Sequence, residues 1–416
     1  MKRSEHFPYY FVAMSLLVLV ILEVCTLTYW NRSVSRDWAA VVHFLAGIGI
    51  AILPMVSVQK PALRLSGGWW WTHLLLWSVL VAFVCLSLPT LFAKNPLDYR
   101  QADMLPILQV MGQRWLNGES VYAIIPEIWG GMQPIYLPAM WLPFVPAIAL
   151  GVDIRWASTT LLLLGILLLF FIPKKKVAPV LSLLVFLPIG LIFWYLIKVY
   201  STFITLSEEA VVVGWYLLLG FALFRKNAWL LALSLVLCLL SRYVLLFWIP
   251  AYLIFLWSTV DKRLVWKTIV YGAMFGLIIM VFGQGLWHLD VFIGLRSSYL
   301  EEITDPNKVG AFTSLIDRSI GLARFVAYEQ LPRLFHLQIG LAVLLPFAFL
   351  WFYVSKKKQL NSTFFGICSL KLSLVFFYNL LVMPYTYLFY TSVFISIYIL
   401  FIFLTISTPS FSKLSK

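Results

Sequence analysis

The chain is divided into about a dozen apolar stretches of near membrane-crossing length, and a fold in water has no place for that many. A helix needs about 20 predominantly apolar residues to cross the hydrocarbon core of a bilayer. Such stretches occupy 9–29, 37–58, 69–92, 155–172, 177–197, 210–224, 264–283, 334–354, 361–382 and 387–407. The run 228–258 is too long for one crossing and is interrupted at Ser241-Arg242, so it reads as two shorter helices, 228–240 and 243–258. Only 12% of the residues are charged, against about 25% in a soluble domain, while 62% are hydrophobic and the mean hydropathy is +0.93. Lipid must solvate most of the outer surface. The expected fold class is all-α, a polytopic transmembrane helix bundle of about twelve spans forming one integral-membrane domain over 1–416.

The net charge of +14, from 31 basic and 17 acidic residues, could suggest a nucleic-acid partner. The basic residues instead cluster in short loops between apolar runs, which is the pattern of cytoplasmic anchoring, and no nucleic-acid module is present. Lys2-Arg3, Lys60/Arg64, Lys174–Lys176, Arg225-Lys226, Lys262-Arg263, Lys356–Lys358 and Lys413 should share the cytoplasmic side. Twelve spans in the plasma or inner membrane, with both termini cytoplasmic, satisfy this provided that 134–150 does not cross fully. That segment holds Pro134, Pro138, Pro143 and Pro146, which favour a re-entrant or interfacial element over a straight helix. The basic N-terminus leads into an apolar run that lacks a small-residue cleavage site and reads as a retained first span. Cys25, Cys85, Cys238 and Cys368 all lie in apolar runs and suggest no disulfide framework.

Two longer loops, about 93–133 and about 284–333, fall on the outer side. Long loops on one face are where function concentrates. Both mix apolar, aromatic and charged residues, as amphipathic helices lying on a membrane do. In the first, Asp98 and Asp103 closely follow a span that ends near Phe92, a position suited to a general base acting on a hydroxyl acceptor. The ordinary reading of Asp103 is a helix N-cap, and that of Asp98 a solvated turn.

The first loop continues through Leu116-Asn117-Gly118-Glu119 and Tyr122 to Pro134-Ile135-Tyr136-Leu137-Pro138 and Leu142-Pro143. Asp103, a helical run and this sequel resemble a pattern of the GT-C integral-membrane glycosyltransferases, above all the polyprenol-phosphate mannosyltransferases of glycosyltransferase family 87. There an aspartate of the first outer loop precedes a helix ending in a Leu-x-Gly-x-x-x-Tyr-like stretch, and a Tyr-Pro-Pro segment opens the next membrane element. The spacing to the glycine fits Asp103 better, and closeness to the preceding span fits Asp98 better. The stretch around Arg242 is similar to a short helix pair with a central basic residue. Ser314, Leu315 and Arg324 resemble a later loop stretch. In LVMPYTYLFY, Tyr385, Tyr387 and Tyr390 stand where the family often has histidine.

The resemblance implies transfer of a hexose, such as mannose, from a polyprenol-phosphate donor to a glycan, lipid or protein acceptor on the extracytoplasmic face; no cofactor is expected, and no residues stand out as metal ligands. Phosphate is already a good leaving group, so one carboxylate to take the acceptor proton and cations to hold the phosphate suffice, and inversion at the anomeric carbon follows. Asp98 and Asp103 are then the catalytic candidates. Arg100, Tyr136, Arg242, Arg324, Lys371 and Tyr385 are the substrate-binding ones, with Arg242 foremost as phosphate clamp and Arg296 and Arg318 behind it. Against these stand ordinary roles: an interfacial snorkel for Arg242 and headgroup contacts for the loop arginines. Lys371 and Glu23 lie within spans and should face the bundle or a wet cavity. Glu208-Glu209 read as a solvated turn, although they could line an acceptor cleft. His288 and Asp290 are too few for a metal site. The Trp69–Trp71 cluster reads as an interfacial belt. A transporter or flippase for lipid-linked glycans predicts internal symmetry, of which the sequence has none. A glycan polymerase or ligase would lean more on arginine and histidine in a late outer loop.

Overall fold

The computed structural model describes residues 9–30, 36–56, 70–171, 179–259, 261–294, 304–305, 316, 319–356, 364–382 and 385–405. Among these residues the regular elements are helical, and the one β-type pairing is an isolated antiparallel bridge between Ile125 and Met132. In chain order the longer helices are α1 (Tyr9–Cys25), α2 (Arg36–Val56), α3 (Trp70–Lys94), α4 (Met104–Leu116), α5 (Arg155–Leu168), α6 (Pro179–Lys198) and α7 (Glu209–Arg225). They continue as α8 (Ala228–Leu239), α9 (Leu245–Thr259), α10 (Lys262–Phe282), α11 (Leu331–Ser355), α12 (Phe365–Asn379) and α13 (Phe389–Thr405). All but α4 match the apolar stretches of the sequence.

Among the described residues, six segments are long and apolar enough to cross a membrane: Phe11–Tyr29, Arg36–Val56, Trp71–Lys94, Lys262–Phe282, Tyr328–Ser355 and Thr386–Thr405. This is a membrane protein by that measure, with fewer full-length spans than the hydropathy count of twelve. The difference is physical. Several apolar stretches form helices shorter than a full crossing: α5, α8, α9 and α12 have only 14, 12, 15 and 15 residues.

Neighbouring helices alternate in direction. At one end, Arg155 at the start of α5 donates from Nη1 to the Asn95 carbonyl (2.5 Å) just past α3. At the same end, Trp115 of α4 donates to the Phe282 carbonyl at the end of α10 (2.8 Å). At the other end, Arg225 closing α7 donates to the Phe171 carbonyl, and Phe255 of α9 stacks on Phe365 opening α12 at 4.1 Å. Arg225, Lys226, Lys262, Arg263 and Lys356 all belong to this second end, opposite the 93–133 loop. The proline-rich segment breaks into Pro138–Trp141, Leu142–Phe144 and Val145–Ala149. Its two ends lie at the same end of the bundle, Tyr136 before it and Arg155 after it both being at the loop end.

Every residue of α13 is buried, which makes it the central helix, whereas α10 buries only Val265 and Thr268 and forms an outer wall. Within the core, Lys371 and Glu23 have no exposed side-chain surface and form an ion pair. The ammonium also donates to the Ser392 carbonyl (3.0 Å) and hydroxyl (2.7 Å), and Ser396 donates to the other Glu23 oxygen (2.5 Å). His43 Nε2 stands 3.9 Å from Glu23, and its Nδ1 lies 3.0 Å from the Thr26 hydroxyl. The network ties α1, α2, α12 and α13 together.

The expected amphipathic helix of the first loop is α4, which buries Leu105, Ile107, Leu108, Met111 and Gly112 along one face. In the second loop, Gly285–His288, Leu322–Phe325 and Tyr328–Gln330 form single 3-10 turns. Arg296, Ser314, Leu315, Arg318, Trp69 and the basic groups Lys2-Arg3, Lys60/Arg64, Lys174–Lys176, Lys357-Lys358 and Lys413 lie outside the described residues. Trp71 is exposed, as an interfacial residue should be. The four cysteines are free.

Candidate active site at the loop end of the bundle

The site is built on α4 and its exit. Gly118 takes φ +72, and the Glu119 and Gly118 amides bond back to the carbonyls of Arg114 (2.8 Å) and Trp115 (3.1 Å). This is a Schellman cap, which needs a left-handed residue after the helix. A side chain at that φ is strained, so Gly118→Ala should destabilise the protein by about 1 kcal/mol, read as a lower thermal midpoint in detergent. Beyond the cap, Arg114 holds the carbonyls of Ala123 and Ile124, and the Ile125–Met132 bridge folds the loop back over α4.

The fold-back carries Trp129, itself at φ +53, onto Asp103, whose Oδ2 accepts the indole N–H at 3.2 Å. Asp103 occupies the N-cap position of α4 but makes no side-chain capping bond. Its carboxylate is thus directed away from the role that sequence alone assigns such a residue. Non-glycine residues at positive φ are uncommon and concentrate where surrounding structure holds them in place.

Further elements gather beside Asp103, with Tyr136 as their common neighbour. The Tyr387 hydroxyl, at the mouth of α13, donates to the thioether of Met104 at 3.2 Å, and Tyr385 stacks on Tyr387 with ring centres 5.2 Å apart. Tyr136, before the proline-rich segment, lies within electrostatic reach of Asp103, Glu208, Arg242 and Tyr385. Loss of water around its phenol, and then the charges of Glu208 and Asp103, push its pKa well above the usual tyrosine value, so it stays a neutral hydrogen-bonding group. Tyr122 braces it, donating to the Tyr136 carbonyl at 3.1 Å and accepting from Trp141 at 3.3 Å.

Arg242, in the turn between α8 and α9, points Nη2 at Glu208 Oε1 (2.9 Å) and at Glu209 Oε1. The two glutamates are 1% and 0% exposed, and the arginine side chain 26%. They are therefore a buried pair at the start of α7, not the solvated turn that the sequence suggests. Apolar flanks on both sides bury them, and Arg242 supplies the charge that burial demands. Oε2 of each glutamate and Nε of Arg242 are buried without a hydrogen-bond partner. Arg242 is neither a free clamp nor a snorkel: one nitrogen of its fork is engaged, and five N–H donors are available to a guanidinium.

The structure thus brings Asp103, Tyr136, Arg242 and Tyr385 together and adds Glu208, Glu209 and Tyr387. Asp98 and Arg100 lie beside this group, since Tyr99 between them packs edge-on against Trp129 with ring centres 5.6 Å apart, whereas Arg324 and Lys371 lie elsewhere. Asp98 Oδ1 accepts the Arg100 amide at 2.9 Å in a turn, and the exposed Arg100 guanidinium lies 5.8 Å from the Tyr99 ring centre. Arg324 pairs with Asp37 at 2.7 Å and donates to the Ser319 carbonyl at 2.8 Å, holding the second loop to the start of α2. Lys371 is enclosed with Glu23, seven residues below Tyr378 and so roughly 10 Å deeper along α12. His288 meets Ser120 at 3.4 Å and packs on Tyr122, and no group of three metal-binding side chains occurs among the described residues. Two cavities lie elsewhere in the bundle. Both touch Lys226, roughly 25 Å away at the far end of α7. Compared with protein-family models, curated proteins and solved structures, the chain matches none.

Proposed function

We propose that the chain is a membrane glycosyltransferase of the GT-C type, moving a hexose from a polyprenol-phosphate donor to an acceptor hydroxyl at the loop end of the bundle. In this reading all twelve core helices cross the bilayer, the shorter ones tilted or thinning it locally. The basic end with Lys226 and Lys262 is cytoplasmic, as are both termini, and the loop end is extracytoplasmic.

The observation that carries the reading is the half-buried Asp103 carboxylate, released from helix capping and gathered with Tyr136, Tyr385 and the Arg242–glutamate group at one helix mouth. As base, Asp103 takes the acceptor proton while the acceptor oxygen attacks the anomeric carbon. The C–O bond to the leaving phosphate breaks, and the free donors of Arg242 meet its growing charge. Glu208 and Glu209 hold the guanidinium in place. Their buried, unpartnered Oε2 atoms suit a polyhydroxylated ligand, since buried acceptors gain most from an added donor. The phenols of Tyr136 and Tyr385 complete a surface of hydrogen-bonding rings suited to a sugar.

The test uses purified full-length protein in liposomes with radiolabelled polyprenol-phosphate mannose or glucose and a membrane extract. Labelled product with the opposite anomeric configuration is expected. Absence of transfer from either donor, with the protein folded, would count against the proposal.

A further inference from the structure

The basic end holds two adjoining cavities that the proposed transfer does not use. One, of about 710 Å³, lies between the start of α8 and the start of α10 and is lined by Lys226, Arg263, Lys267, Asp261, Trp229 and Tyr271. Its size is that of a site for a small organic ligand. Asp261 is engaged in capping α10, its Oδ1 accepting the Arg263 amide at 2.8 Å. None of Lys226, Arg263 and Lys267 joins an ion pair among the described residues. Three cations against one carboxylate leave this cavity with an excess of two positive charges.

The second cavity, of about 160 Å³, is lined mainly by apolar side chains, among them Leu231 and Leu256, together with Tyr252 and Gly366. It shares Lys226 and Leu264 with the first. Gly366 is tight against its surroundings: a Cβ there would lie 2.9 Å from the Tyr252 ring, so even one methyl group would narrow this space. Outside both, α10 presents Trp266, Ile269, Val270 and Met274 as an exposed apolar wall. Lys226 is held at φ +51, a left-handed conformation rare for lysine, and it stands at the junction of the two cavities.

We infer that this pair of cavities binds a phosphate-bearing lipid, its headgroup among Lys226, Arg263 and Lys267, the first few methylenes of one hydrocarbon chain in the apolar cavity between α7, α9 and α12 and the rest of the chain along the exposed apolar face of α10. A soluble anion would satisfy the cations but not explain the apolar extension. A zwitterionic lipid would fill the extension but carry its own cation into a positive site. Trp229 and Tyr271 suit the boundary, with apolar rings and polar tips.

Full-length protein, delipidated in a neutral detergent, is titrated with radiolabelled lysophosphatidic acid, lysophosphatidylcholine of the same chain, and glycerol phosphate. Saturable binding of lysophosphatidic acid is expected, at least tenfold tighter than lysophosphatidylcholine, weakening with shorter chains and with salt. Each cation near such a surface contributes roughly fivefold, so Lys226→Gln/Arg263→Gln/Lys267→Gln should weaken binding about a hundredfold. The three side chains are exposed, so the variant should keep the wild-type thermal midpoint. If it does not fold, the comparison of headgroups and chain lengths on the wild type decides alone. Equal binding of the zwitterionic lipid, or an unchanged affinity in a folded triple variant, overturns the inference. Displacement by glycerol phosphate at comparable concentration overturns the lipid assignment in favour of a free-anion site.

Discussion

Lys371→Met should cost the folded protein about 3–5 kcal/mol, while Glu23→Gln/Lys371→Met should recover most of that loss. The pair sits where no water reaches, with both side chains 0% exposed. Taking away the ammonium leaves Glu23 a bare charge in a low-dielectric core, with only the Ser396 hydroxyl and the more distant His43 to answer it. A buried ion whose partner is removed costs far more than the intact pair contributes, because desolvation of the survivor is no longer offset. The double variant removes both charges, and a glutamine at 23 can still accept from Ser396. The measurement is the midpoint of thermal unfolding in detergent for the wild type, both single variants and the double. A single variant as stable as the wild type would show that the charge pair holds nothing together. A double variant as unstable as Lys371→Met would show that shape, not charge, is what the site requires.

This pair illustrates how far the sequence carries. Glu23 and Lys371 each stand out as ionisable residues within apolar runs, and the rule that such residues face the bundle is met. Their partnership is separated by 348 residues and follows only from the packing of α1 against α12 and α13. It encloses Lys371 in the core, paired with Glu23 and apart from the loop-end group. The helices themselves were legible because apolar stretches and their breaks are written locally: Ser241-Arg242 divides one long run into α8 and α9, and the proline-rich 134–150 breaks into three short helical pieces. The helix lengths were less legible: several apolar stretches form helices shorter than a full crossing.

At the site, the resemblance singled out Asp103, Tyr136, Arg242 and Tyr385, and these do converge. Glu208 and Glu209 escaped as a pair because two adjacent acids beside an apolar run look like a solvated turn. A signal was present: Arg242 is a lone cation between apolar runs, and a cation so placed needs an acid. Asp98 and Asp103 could not be separated from sequence. What distinguishes them is Trp129, brought back from 26 residues downstream by the fold of the loop.

That distinction sets the sharpest expectation for the chemistry. In the transfer assay, Asp103→Asn should lower the rate by roughly 10²–10⁴-fold, the contribution of a positioned general base. Asparagine keeps the shape of the side chain and can still accept from Trp129, so folding and membrane insertion should be unchanged. It cannot take the acceptor proton. Asp98→Asn, whose carboxylate accepts the Arg100 amide two residues on while Tyr99 beside it makes the contact to Trp129, should stay within about a factor of two, as substitutions away from buried or strained features do. Trp129→Phe should fall between them, since it frees the carboxylate without removing it, and its effect should be on rate more than on substrate affinity. The ordering is what the geometry demands. If Asp98→Asn abolished transfer and Asp103→Asn left it whole, the base would be the other aspartate, and the gathering of tyrosines and Arg242 around Asp103 would need a purpose other than proton transfer.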